Sequence, residues 1–220
     1  MGLFGSLLGN KKSSSDLPPE VEQVFEKLHR FLSDENLQNS KMPSAVQFML
    51  KGGEDVDEIP GGTGEFGRSY ANPIPVNGPI GEIVYLSRLA VGDTGAKVLY
   101  HRLGSIKSID VYETVSIDGK IWDVLYLSFY HPRRSRKAPN GYVIKDFREH
   151  PMIYGTNNTV PQFPLGLQES ISQATKNILG IPLRPPEVRI AEEKVHFDRS
   201  PEHQRIIDAL AREGLDQPQS

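Results

Sequence analysis

Histidine and carboxylate side chains on neighbouring predicted strands are the residues of this chain whose types and spacing suit proton transfer. The chain has six histidines. His101 and Asp110 belong to adjacent predicted strands, and Asp123 and His131 lie near one end of the predicted sheet. Because histidine titrates near neutral pH, a histidine beside a carboxylate can serve as a general acid or base. We take His101, Asp110 and His131 as catalytic candidates, with ordinary hydrogen-bonded residues as the alternative.

Local catalytic and metal-binding motifs are missing from the sequence. The histidines show neither H-x-H nor H-E-x-x-H spacing, so no metal site is predicted. The chain has no cysteine, which excludes thiolate catalysis, zinc fingers and disulfides. Serine-nucleophile and Walker A motifs are also absent. We therefore predict no metal and no cofactor and favour a non-catalytic protein, although residues distant in sequence leave an enzyme open.

The stretch GGTGEFGRSYANPIPVNGPIGE at 61–82 contains a literal G-x-G-x-x-G. Its three glycines are Gly62, Gly64 and Gly67. A dinucleotide-binding fingerprint requires a strand before such glycines and a helix after them. Here an acidic loop precedes them, and Pro73 and Pro75 would break a following helix. We therefore predict a proline-stiffened loop that covers or edges a sheet.

Two loops carry the polar side chains that we predict to bind a partner. In the Pro-rich loop (66–80) these side chains are Arg68, Tyr70, Asn72 and Asn77. In the basic loop (131–141) they are Arg133, Arg134, Arg136 and Lys137. Arginine forks suit phosphate and carboxylate groups, which indicates an anionic partner. The alternative for the first loop is that it packs onto the core. The alternative for the second is that it is a solvated loop whose charges keep the sheet edge soluble, or that it pairs with the acidic N-terminal region.

Charge is unevenly distributed along the chain, although the net charge is only −3. Residues 16–65 carry 11 acidic and four basic residues, whereas residues 88–148 carry 11 basic and six acidic residues. A pI near 6.1 is not typical of a dedicated nucleic-acid binder. No aromatic residues alternate with the basic ones, whereas a surface that binds single-stranded nucleic acid requires aromatic side chains on which the bases stack. A protein partner is therefore favoured over nucleic acid.

The N-terminal residues have a weakly amphipathic pattern. The apolar residues on one helical face are Leu3, Phe4, Leu7 and Leu8. This run is too short for a secretory signal or a membrane span. We predict a cytoplasmic protein whose N-terminal segment can contact a membrane surface or a partner groove.

The hydrophobic pattern predicts an α+β fold: an antiparallel β-meander of four to five strands with flanking helices. The predicted strands are 81–91, 96–104, 109–117, 120–130 and 142–147. The predicted helices are 17–33, 43–52, 168–179 and 201–213. Asp118-Gly119 predicts a type I′ hairpin turn. The apolar stripe of the first helix is Val21, Val24, Phe25, Leu28 and Leu32.

These elements divide the chain into a flexible N-terminal tail at 1–16 and a single α+β domain at 17–220. The domain consists of a helical part at 17–52, a loop at 53–80, the β-meander at 81–147, and helices with Pro-rich loops at 148–220.

Three functions follow from these observations. We favour a non-catalytic, soluble accessory or protein-interaction protein that contacts its partner through the Pro-rich and basic loops. The first alternative is an enzyme or small-ligand-binding protein with a pocket between the sheet and its cover loop. The polar lining of that pocket would be His101, Arg102, Asp110 and His131. The second alternative is a peripheral membrane protein held by its N-terminal segment.

Overall fold

The computed structural model describes residues 19–194, together with Gln204 and Asp208. The helices are α1 (Pro19–Ser33), α2 (Glu35–Ser40), α3 (Ser44–Gly52), α4 (Gly78–Ser87), α5 (Leu167–Leu179) and α6 (Pro186–Lys194). The strands are β1 (Ile74–Pro75), β2 (Leu89–Val91), β3 (Val98–Ile106), β4 (Ile109–Ser116), β5 (Trp122–Ser128), β6 (Tyr142–Ile144) and β7 (Gly155–Thr156). The fold is therefore α+β, as predicted.

The main sheet is mixed rather than purely antiparallel. Its strand order is β1-β5-β4-β3-β7, and the three long central strands pair antiparallel as predicted. The outer strands β1 and β7 instead pair parallel to their neighbours. Each outer strand is only two residues long, because it is a short stretch of loop that completes a sheet edge. Such loop segments leave no alternating pattern in the sequence.

The predicted strand at 81–91 is wrong, because most of it forms helix α4. Pro79 occupies the first turn of this helix, where its missing N–H costs nothing. The helix is buried on all sides. Only the end of the predicted segment, Leu89–Val91, forms a strand, which is β2. A buried helix and a buried strand show the same continuous apolar run, so periodicity does not distinguish them.

The predicted fifth strand is also displaced from the main sheet. Residues 142–144 form β6, which pairs antiparallel with β2 in a separate two-stranded sheet. The Asp118-Gly119 hairpin is present, but only Gly119 has a positive φ, of 75°, so the turn is not type I′. Ser116 and Asp118 hold a wider loop by a 2.6 Å side-chain hydrogen bond.

The helices at 17–33, 43–52 and 168–179 are confirmed as α1, α3 and α5. On α1, Leu28 and Leu32 are buried, whereas Phe25 is 41% exposed and does not belong to a buried stripe. The sequence interpretation missed α2 and α6. The helix predicted at 201–213 lies outside the described residues except for Gln204 and Asp208, which are helical. The tail at 1–16 lies outside them entirely.

Candidate functional sites

His101 is held in a buried couple with Glu113 on the neighbouring strand. Its Nε2 lies 2.8 Å from Glu113 Oε2, and both side chains are almost fully buried. The backbone N–H of Val160 donates to His101 Nδ1 over 3.0 Å, so Nε2 carries the proton and donates to Glu113. Phe163 stacks on the imidazole with ring centroids 4.3 Å apart. His101 therefore belongs to the interior of the fold.

His101 pairs across the sheet with Glu113 of β4, which is three residues after Asp110. Because side chains alternate along a strand, Asp110 lies on the opposite face of the sheet from His101. Asp110 Oδ2 accepts a 2.8 Å hydrogen bond from Arg102 Nε, and Ser105 donates to Asp110 Oδ1. The structure therefore does not bring His101 and Asp110 together. Arg102 and Asp110 do meet, and they form an ion pair at the edge of the core.

Behind this ion pair lies Glu82 of α4, a fully buried carboxyl group. Tyr112 donates a 2.9 Å hydrogen bond to Glu82 Oε2, while Glu82 Oε1 has no hydrogen-bond donor within the described part of the chain. Burial raises the pKa of Glu82 well above its ordinary value, and the nearby Asp110 carboxyl raises it further. Glu82 is therefore arranged to keep its proton, and its protonated carboxyl group is able to donate to the Asp110 side chain.

His131 lies at the end of the sheet, where it joins two loops. Its Nε2 is 3.1 Å from Ser128 Oγ, and its Nδ1 is 2.9 Å from the Glu54 carbonyl oxygen. Asp123, which the sequence places near His131, instead pairs with Arg68 over 2.7 Å. The four residues of the predicted pocket lining therefore do not converge on one site.

The polar residues of the Pro-rich loop mainly hold the loop itself in place. Arg68 pairs with Glu65 and Asp123, and its third nitrogen donates to the Asn140 carbonyl oxygen. Asn72 is buried and donates to Glu58 and to the Gly64 carbonyl oxygen. Tyr70, in contrast, is 40% exposed. Asn77 is fully buried, so of the four predicted residues Tyr70 is the most accessible.

The G-x-G-x-x-G stretch closes on itself as a compact turn. Gly64 and Gly67 both have positive φ, and the Gly67 N–H donates to the Asn72 carbonyl oxygen over 2.8 Å. The Gly67 carbonyl oxygen accepts from the Tyr126 N–H of β5, which fixes the loop along the sheet. The glycines thus serve a cover loop, as the sequence predicts.

The basic loop packs against an acidic segment at 54–58, in agreement with the pairing alternative. The ion pairs between the two segments are Arg133 with Asp55 and Asp57, and Lys137 with Glu58. The Arg136 N–H donates to Asp57 Oδ1 over 2.8 Å and is the main reason that the pKa of Asp57 is lowered. The Arg136 side chain is exposed and forms no ion pair within the described residues.

Arg134 differs from its neighbours because its side chain is buried in a polar network. Its Nη1 donates to Gln38 Oε1 over 2.7 Å, and its Nη2 lies 3.3 Å from Glu35. Gln38 also accepts from Asn77 and donates to the Phe31 carbonyl oxygen. Burial lowers the pKa of Arg134 to about 10. This network joins α2, the start of α4 and the basic loop.

The outer face of α3 is apolar and exposed. Phe48 is 80% exposed and Met49 is 38% exposed, while Leu50 on the opposite side is buried. Ala45 is also exposed and lies one turn before Phe48. The exposed cation Lys51 follows Phe48 by three residues and forms no ion pair in the described segments. We call Ala45, Phe48 and Met49 the α3 patch.

Sequence reasoning missed Glu82, Glu113 and Phe48. Glu82 is a single acid within an otherwise apolar stretch, which is a signal for a buried polar group, whereas Glu113 shares its strand with Asp110 and has no such signal. In the helical pattern around Phe48, Val46 and Leu50 form the inner face. A helical projection of the sequence therefore predicts that Phe48 is exposed.

Comparison with known protein families, curated proteins and solved structures found no match to this chain. Among residues 19–194, none of the helices is long and apolar enough to cross a membrane. Leu3, Phe4, Leu7 and Leu8 lie outside the described residues. No group of three or more His, Asp or Glu side chains in the described ranges is arranged to hold a metal ion.

Proposed function

We propose that this chain is a non-catalytic protein-interaction protein whose main contact is the α3 patch. The observation that carries the proposal is Phe48, an aromatic side chain that is 80% exposed on a regular helix. Aromatic side chains dominate interface energetics because each buries about 150–250 Å². Ala45 and Met49 add two further exposed apolar residues on the same helix.

The charge beside the α3 patch favours a particular kind of partner. Lys51 is next to Phe48 on the helix surface, and its ammonium group has no carboxylate partner among the residues described. An amphipathic helix with an acidic margin would bury its apolar face on the patch and place a carboxylate near Lys51. We therefore propose such a helix as the partner segment.

The basic loop lies close to the end of α3 and supplies a second contact in this proposal. A Cβ atom at Gly53 would overlap the Tyr130 carbonyl oxygen, so α3 ends directly against the start of that loop. Most cations of the loop are already paired, which leaves the exposed Arg136 as its available charge. What supports a non-catalytic function is that His101, Asp110 and His131 occupy separate environments.

Replacing Phe48 with serine is expected to weaken partner capture at least tenfold without lowering the melting temperature. The physical reason is that Phe48 buries little in the free protein but most of its area in the complex. The measurement is quantitative capture on tagged full-length protein from its own host, read by mass spectrometry.

The matched control is Leu165→Ser, because Leu165 is also more than half exposed but lies in the turn before α5. Leu165→Ser should capture the same partner as the unmodified protein. Equal capture by Phe48→Ser and Leu165→Ser would refute the α3 patch as the contact.

A further inference from the structure

A separate polar cleft of about 360 Å³ lies beside the last turns of α1. It is bounded by α1, by the end of α4 and by the turn that follows β6. The residues that line it are His29, Ser33, Arg88, Asp146, Phe147 and Arg148. Its volume is at the lower end of the range for small-molecule sites, about 300–1,000 Å³.

Arg88 is held at the cleft by its neighbours but keeps donors available. Its Nε donates to the Lys145 carbonyl oxygen over 2.8 Å, and the Lys145 N–H donates back to the Arg88 carbonyl oxygen over 2.8 Å. The first bond orients the guanidinium group, and the second holds the backbone beside it. Its two Nη atoms make no hydrogen bond within the described chain, so they are free for a ligand.

Arg148 provides a second guanidinium group at the same cleft. Its side chain is exposed and forms no ion pair in the described ranges. The carboxylate on the cleft wall, Asp146, accepts a 2.9 Å hydrogen bond from the Arg148 N–H and so caps the turn. With two arginines and one aspartate, the lining carries a net positive charge.

Two acidic residues near the cleft already have cationic partners. Glu149 is paired with Lys145, and Glu35 is next to the buried Arg134. The positive charge of Arg88 also contributes to lowering the pKa of Arg134, after the larger effect of burial, which places the two cations within electrostatic reach. An anion beside Arg88 would relieve this repulsion.

Aromatic and hydroxyl groups complete the cleft. The His29 ring meets Phe147 edge-on, with centroids 4.5 Å apart and planes at 84°, which fixes the imidazole on the wall. The Ser33 hydroxyl bonds the His29 carbonyl oxygen over 2.7 Å and can still accept a hydrogen bond. The site therefore combines two guanidinium groups with an aromatic surface.

We propose that this cleft binds a small phosphate monoester. Arg88 and Arg148 would hold the phosphate oxygens, because the guanidinium fork matches phosphate geometry and charge. The His29 and Phe147 rings would contact the organic part of the ester. This site is independent of the α3 patch.

The test is isothermal titration of the full-length protein at low salt with glycerol phosphate and with inorganic phosphate. We expect saturable binding that Arg148→Ala weakens at least tenfold. The control Arg189→Ala removes an exposed arginine of α6, outside the cleft, and should change binding less than twofold. Tighter binding of glycerol phosphate supports the monoester proposal.

Two results would overturn the proposal. Inorganic phosphate binding more tightly than the ester would assign the cleft to the free ion instead. No saturable binding of either probe, or equal weakening by Arg148→Ala and Arg189→Ala, would mean that the cleft is not an anion site.

Discussion

Arg134→Ala is expected to lower the free energy of unfolding by about 2 kcal/mol, within the range for a hydrogen bond between a buried group and a charged partner. Arg134 is 7% exposed, and its guanidinium bonds Gln38 and Glu35 in the network that joins α2 to the basic loop. Alanine would leave a cavity beside these polar groups. Gln38 is fully buried and would lose its 2.7 Å charged donor.

The measurement is urea-induced unfolding followed by circular dichroism. Arg136→Ala is the matched control, because Arg136 is two residues away, exposed and unpaired in the described chain. It should change stability by no more than about 0.5 kcal/mol. A loss below about 1 kcal/mol for Arg134→Ala would show that the network contributes little. Arg134 is consequently unsuitable for testing partner binding.

Glu82→Gln is expected to make the protein more stable than the unmodified chain at pH 8, and the difference should vanish near pH 4. The pKa of Glu82 is raised in the folded protein, mainly by burial. The folded state therefore holds its proton above the pH at which the unfolded chain releases it. Glutamine keeps an acceptor for Tyr112 and a donor for Asp110 but has no proton to lose.

The direction follows from proton linkage. A raised carboxyl pKa stabilises the folded state fully below the unfolded pKa, which is about 4.5. That contribution is lost as the pH rises towards the folded pKa, by at most about 1.4 kcal/mol per pH unit. The stability difference between Glu82→Gln and the unmodified protein should therefore grow with pH over this range.

Unfolding free energies measured from pH 4 to pH 8 test this expectation. The control is Glu26→Gln, which alters an exposed carboxyl group on α1 and should show no such trend. A difference that is constant across pH would mean that Glu82 titrates alike in the folded and unfolded states.

The central hairpins could be predicted from the sequence because their signals are local. Strands β3, β4 and β5 are runs rich in apolar and β-branched residues and are joined by short turns. Helix α4 could not be recognised, since a run that is apolar on every side fits a buried helix and a buried strand equally. The edge strands β1 and β7 depend on tertiary contacts alone.

The candidate sites were less predictable than the fold. Residue type identified Arg133, Arg134 and Arg136 as alike, but tertiary structure pairs the first, buries the second and leaves the third exposed. Which arginine is available depends on acidic residues about 78 positions earlier in the chain, such as Asp55 beside Arg133. The uneven charge of the sequence suggests that the two segments pair, but it does not tell which arginine does so.

The most direct test of the interaction proposal is site-specific photocrosslinking from position 48. A photoreactive phenylalanine analogue would replace Phe48 in one variant and Leu165 in another, and crosslinks would be formed in the native host. We predict one specific adduct from position 48, which maps to an amphipathic, acidic helix of another protein. We predict no such adduct from position 165. No adduct from position 48, the same adducts from both positions, or an adduct only to a second copy of this chain would contradict it.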